Sequence, residues 1–138
     1  MNYKTSALIF LCTVSFTGCV QKNDKAKMVK RTETGTVIHI GSEQEFNDAI
    51  ANGNVVVDFF ASWCGPCQRM SPIIDDLAKE MTSITFVKVD TEKFKDLTKN
   101  FGVRGLPTLV FFKDGQKISQ KTGARSKVEL RNEINTTF

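Results

Sequence analysis

The sequence predicts an α/β domain: a central mixed β-sheet flanked by helices, in the order β-α-β-α-β-α-β-β-α. Three observations carry that expectation. Asn54–Phe60 (NVVVDFF) is a nearly unbroken apolar run, the pattern of a central strand covered on both faces. Apolar stretches of strand length alternate with stretches of helical periodicity. Asp114-Gly115, set between Thr108–Lys113 and Gln116–Thr122, is a strong hairpin turn.

In chain order, Thr36–Ile40 (TVIHI) is a short β-branched strand, on which His39 is an outward edge residue with no assigned role. Ser42-Glu43-Gln44-Glu45 has the spacing of a capping box and opens a helix that runs through Ile50. After the central strand, Met70, Ile73, Ile74, Leu77, Ala78 and Met81 place one apolar face on a longer helix. Pro72 is expected to kink that helix rather than end it, because the apolar face continues past it. Ile84–Asp90 is a further strand, and Phe94, Leu97 and Phe101 mark a short helix stopped by Gly102. Ser126 and Glu129 cap a last helix containing Leu130 and Ile134. Strands joined by helices are expected to be parallel, and the final hairpin antiparallel.

At 138 residues the chain suits one domain with one modest core, and 11 Phe against single Trp and Tyr residues make that core Phe-rich. The formal charge of +4 comes from the start of the chain. Residues 4–31 hold six basic side chains and one acid, which leaves 13 basic and 14 acidic residues elsewhere. A nucleic-acid surface would need its basic groups on the folded domain, so no nucleic-acid partner is expected.

The division expected is 1–18 as a signal peptide, 19–35 as a tether and 36–138 as the folded domain. Lys4 is followed by the apolar run Ala7–Val14, too short for a stable bilayer anchor, and then by Phe16-Thr17-Gly18-Cys19. This segment resembles the lipobox of bacterial lipoproteins, with Phe16 where that family more often has Leu. The resemblance implies acylation at Cys19, ordinary cleavage being the alternative. Val20–Thr34 is polar, basic and aperiodic, a tether with a reach of roughly 20 Å as a coil. A competing account starts translation at Met28 and leaves the domain in the cytosol. If export holds, Cys12 leaves with the signal and Cys19 is blocked by lipid. Cys64 and Cys67 are then the free thiols of the mature protein.

Trp63-Cys64-Gly65-Pro66-Cys67 sits directly after the central strand. Two cysteines at this spacing in the first turn of a helix are close enough to form a disulfide. The first thiol faces free N–H groups and the positive helix end, which favour its thiolate. Cys64 is therefore the expected nucleophile and the more exposed thiol. Cys67, one turn deeper, is the expected resolving thiol. Zinc would need about four ligands, and beyond this pair the chain offers His39 and two N-terminal cysteines, so the redox reading is preferred to zinc or to a structural bridge. Gly65 permits close backbone approach, and Pro66 holds a helical φ without a donor. Asp58, alone in an apolar strand, should be desolvated and its pKa raised, which suits proton transfer with the Cys67 thiol.

VDFFASWCGPC, the Gly105-Leu106-Pro107-Thr108 segment and Thr122-Gly123-Ala124 together resemble the thioredoxin family, a likeness that runs from Thr36 to the C-terminus. It implies the thioredoxin fold and thiol–disulfide exchange. Thioredoxin is itself a known case of a lowered cysteine pKa, so that lowering is a property of the family. The resemblance also implies that Asp58 serves in proton transfer with Lys88 as its partner, and that the Leu106–Pro107 bond is cis. Trp63, Gly65, Pro66, Leu106, Pro107, Gly123 and Ala124 would then ring the sulfur as a shallow apolar landing site for many disulfide-containing proteins. No cofactor and no metal are expected, and a monomer is.

No cation lies between the two cysteines, so the disulfide is comparatively favoured and the domain should donate electrons rather than oxidise its partners. An exported reductase would draw on a membrane dithiol donor. The alternatives are a specialist in cytochrome maturation or another specialised oxidoreductase, and a non-catalytic binding module on the same fold. The forty residues from Cys67 to Pro107 leave no room for the extra central segment usual in cytochrome-maturation relatives.

Overall fold

The computed structural model describes residues 35–138. The expected signal peptide, Cys19 and all but the last residue of the expected tether lie outside them. Nine elements follow in order: β1 (Ile38–His39), α1 (Glu43–Ile50), β2 (Asn54–Phe60), α2 (Gly65–Glu80), β3 (Ile84–Asp90), α3 (Lys95–Asn100), β4 (Thr108–Lys113), β5 (Gln116–Thr122) and α4 (Lys127–Thr137). Five strands form one sheet in the order β1-β3-β2-β4-β5. The fold is the mixed, helix-flanked sheet expected from the sequence.

Because successive side chains of a strand point to opposite faces, β2 feeds two cores. Val55, Val57 and Phe59 join Phe46 and Ile50 of α1 and Leu97 of α3 on one face. Val56 lies on the other, with Met70, Ile74 and Leu77 of α2 and Leu130 and Ile134 of α4. The first core is the Phe-rich one: Phe46 meets Phe101 and Phe112 edge-on, with ring centroids 5.5 and 6.0 Å apart.

One expectation about topology is overturned. β1 and β2 are both parallel to β3, but β4 is antiparallel to β2 although a helix joins it to β3. The reason is length. A seven-residue strand runs roughly 23 Å, whereas the six residues of α3 rise only about 9 Å. The chain cannot be carried back along the sheet, so it re-enters at the end it left: Asp90 is in register with Phe60, and Thr108 with Phe59. That reversal brings the start of β4 to the same sheet end as the start of α2.

Local signals set most boundaries. Ser42 Oγ accepts from Glu45 N–H, but Glu45 reaches back to the N–H of Gly41 rather than to that of Ser42, so the box is displaced by one residue. At α4 the capping box of Ser126 and Glu129 is complete. α2 runs through Pro72, whose missing N–H denies the Gln68 carbonyl its helical donor. Gly102, at φ 62°, closes α3. The Asp114–Gly115 turn has both residues at positive φ, and Asp114 Oδ1 accepts from Gly53 N–H at 2.8 Å, tying the hairpin to the entry of β2. β1 is shorter than expected, with ladder pairs only at Ile38 and His39.

Candidate active site

The end of β2 and the first turn of α2 place two sulfurs together. Cys64 is the N-cap of α2, with extended backbone, and Pro66 occupies the first turn, where a missing N–H costs nothing. Cys64 and Cys67 are joined as a disulfide with Cα atoms 5.2 Å apart. The Cys67 N–H points at Cys64 Sγ, 3.2 Å away, and the Cys64 carbonyl accepts from Gln68 N–H at 3.0 Å. A free backbone donor of the helix end is therefore aimed at the first sulfur. That is the arrangement that stabilises charge on it when the disulfide opens.

The two cysteines do not differ in exposure as the sequence reading expected: they are 4% and 3% exposed. Both sulfurs, tied to each other, pack with Ala61 and against Phe60 and Leu106. What separates them is the space each faces. Cys64 lines an open groove of about 490 Å³ with Trp63, Pro66, Val103, Arg104 and Leu106. Cys67 lines a smaller cavity of about 240 Å³ with Phe60, Ser62, Gln68, Ser71 and Lys88.

The topological reversal supplies the opposite wall of the groove. The Leu106–Pro107 bond is cis, Leu106 lines the groove, and Pro107 is buried. Gly123 N–H donates to the Pro107 carbonyl at 2.8 Å, and Thr108 Oγ1 meets the Gly105 carbonyl at 2.7 Å. Trp63, Gly65, Pro66 and Leu106 thus come together as expected, with Trp63 70% exposed at the rim. Gly123 and Ala124 do not line the groove; Gly123 braces Pro107 through its N–H. Thr91, Thr98, Val103 and Arg104 line it without having been foreseen, because the segment that folds α3 beside the dithiol carries no motif of its own.

Asp58 and Lys88 are in-register neighbours on β2 and β3, on the α2 side of the sheet. Asp58 is 1% exposed, and neither carboxylate oxygen has a hydrogen-bond partner among the described residues. Burial pushes its pKa up from 3.8 to about 7, a rise that the positive charge of Lys88 partly opposes. Lys88 is 6% exposed; its Nζ donates to Ser71 Oγ and lies 5.2 Å from the centre of the Phe60 ring. Ser71 was missed in the sequence. The signal available was its place four residues after Cys67, on the same side of α2. Among the described residues no three or more His, Cys, Asp or Glu side chains gather as a metal site.

A protein-family model described as Thioredoxin matches residues 37–136. The chain belongs to the thioredoxin family. It is 40% identical over 94 residues to thioredoxin of Chlamydia muridarum, a match covering 68% of this chain and 92% of the relative. To thioredoxin H-type 1 of Nicotiana tabacum it is 40% identical over 108 residues, covering 75% and 85%. A solved structure of a mutant thioredoxin from Halobacterium salinarum is similar with a TM-score of 0.71 at 32% identity, over 75% of this chain and 92% of that one. With family membership and the Cys64–Cys67 pair both in place, this thioredoxin-family chain is a thiol–disulfide oxidoreductase.

Proposed function

We propose that the chain works as a protein-disulfide reductase, held by lipid on Cys19 outside the cytoplasm. The observation that supports the chemistry is the Cys67 N–H aimed at Cys64 Sγ across 3.2 Å. In the reduced protein the Cys64 thiolate attacks one sulfur of a substrate disulfide. One substrate sulfur leaves as a thiolate and takes a proton from solvent, and a mixed disulfide remains on Cys64. Cys67 then gives its proton, through a water, to Asp58 and attacks Cys64 Sγ. The second substrate sulfur is released, and Cys64–Cys67 becomes the disulfide. Two electrons pass from the dithiol to the substrate, and a membrane dithiol donor returns them.

Asp58 suits the proton step because a carboxyl that titrates near neutrality can both accept and release a proton at working pH. Lys88 supplies positive charge beside it. Trp63, Gly65 and Pro66 offer the substrate an apolar edge, and Leu106 forms the opposite wall next to the buried Pro107, which Gly123 beside Ala124 braces. The reductive direction rests on the lack of a cation between the cysteines. The location rests on the apolar run ending at Thr17-Gly18-Cys19 and the basic segment after it.

The test uses two variants of the full chain against a protein disulfide. Cys64→Ser is expected to abolish reduction, whereas Cys67→Ser should accumulate mixed disulfides on Cys64, which would also identify substrates and donor in native envelopes. Equal trapping by both variants would reverse the assigned order of attack.

A further inference from the structure

Lys88 is the charged group that β3 places beside Asp58, and it has not closed on it. Its ammonium is held elsewhere, by Ser71 Oγ on α2 and over the Phe60 ring, at the wall of the cavity that Cys67 also lines. Both Asp58 oxygens are left without a hydrogen bond among the described residues. An ammonium buried this far needs an acceptor. With Ser71 present it has one that is neutral.

Among the described residues, Lys88 is the one charge whose field reaches Asp58. β4 sets the apolar Leu109 in register with it. Arg69, Asp75, Asp76, Lys79 and Glu80 of α2 are all on that helix's exposed side, and α2 turns Cys67 inward. On α4, Lys127 and Arg131 pair with Asp76 and Glu80, and Glu133 pairs with Arg125.

We propose that Ser71 is a positioning residue: its hydroxyl holds the Lys88 ammonium at the wall of the Cys67 cavity and keeps it from forming an ion pair with Asp58. The carboxylate is then left free to take the Cys67 proton. This rests on the reading of Asp58 as the proton acceptor. Without the hydroxyl, the in-register carboxylate of Asp58 is the charged acceptor that β2 sets beside Lys88. A direct ion pair would favour the charged form of Asp58, making it a weaker base. Ser71 thus acts on Asp58 only through Lys88, and a hydroxyl at this position is what matters rather than serine as such.

The test is the titration of Asp58, followed by carboxyl ¹³C NMR in the oxidised full chain and assigned by its loss in Asp58→Asn. Ser71→Ala, a benign change on a helix, should lower the midpoint by at least about one pH unit, and Ser71→Thr should leave it in place. Lys88→Gln should raise the midpoint, and adding Ser71→Ala to Lys88→Gln should change nothing further. An unchanged or higher midpoint in Ser71→Ala overturns the proposal. So does a shift caused by Ser71→Ala in the Lys88→Gln background. Single-turnover rates across pH separate this from the reading beneath it. If Asp58→Asn reacts at the wild-type rate while the Asp58 midpoint still follows Ser71, the proton-transfer role fails and the placement of Lys88 stands. If Asp58→Asn is slow and the midpoint ignores Ser71, the proton-transfer role stands and the Ser71 proposal fails.

Discussion

Asp58→Asn should gain stability relative to the wild type as pH rises, by an increment that is absent in acid and complete above neutrality. In the unfolded chain this carboxyl ionises near 3.8; in the folded chain burial delays ionisation to about 7. Between those two values the folded state binds the proton and the unfolded state does not, so wild-type stability falls as pH rises through that window. The difference is about three units, and at about 1.4 kcal/mol per unit it amounts to about 4 kcal/mol, fully lost above about pH 7. Asp58 is 1% exposed, so solvent screening does not reduce this figure much. The asparagine amide carries no charge at any pH, and whatever its burial costs is independent of pH. Urea unfolding of both proteins with the disulfide intact, in steps from about pH 4 to about pH 8.5, isolates the term. The stability of the variant minus that of the wild type should climb by about 4 kcal/mol across the series and level off above neutrality. A difference that stays flat would show that Asp58 ionises normally in the fold, and the base assigned to Cys67 would lose its physical ground.

Phe46→Ala should cost about 3–5 kcal/mol in the same unfolding assay, since it empties a fully buried site between Phe101 and Phe112; a loss below about 1 kcal/mol would mean that the Phe cluster collapses to fill the gap. Gly102→Ala should cost about 1–2 kcal/mol through its left-handed φ of 62°, because among the described residues nothing beyond its chain neighbours lies within 4 Å of the added Cβ. Gly102→Asn should recover part of that loss, and equal losses for both would point away from backbone conformation. Cell fractionation with mass spectrometry of the N-terminus should find the protein at a membrane with lipid on Cys19. An unmodified terminus at Met28 or Val29 in the soluble cytosolic fraction would replace the membrane donor with a soluble one.

Local chemistry in the sequence was sufficient for most of the elements. The bounds of β2 and β4 match their apolar runs, which suit strands covered on both faces, β3 follows a mostly apolar run, and the polar edge strand β5 is set by the Asp-Gly turn that precedes it. The dithiol at a helix start was equally legible, since capping and proline placement are decided within one turn. Asp58 could be recognised as strained in its protonation because a lone carboxylate in VVVDFF has nowhere polar to go. Only the tertiary structure decided the direction of β4. That depends on whether six residues of α3 can span a strand's length, a comparison no local pattern contains. From that reversal come the groove wall at Leu106, and the gathering of Thr91, Val103 and Arg104 around Cys64. Ser71 likewise reads as one more polar residue on a helix until α2 is laid across the sheet and its hydroxyl meets Lys88, seventeen residues along the chain. Spacing along a segment is set by covalent geometry and is visible in sequence, whereas the meeting of side chains from different segments is set by packing.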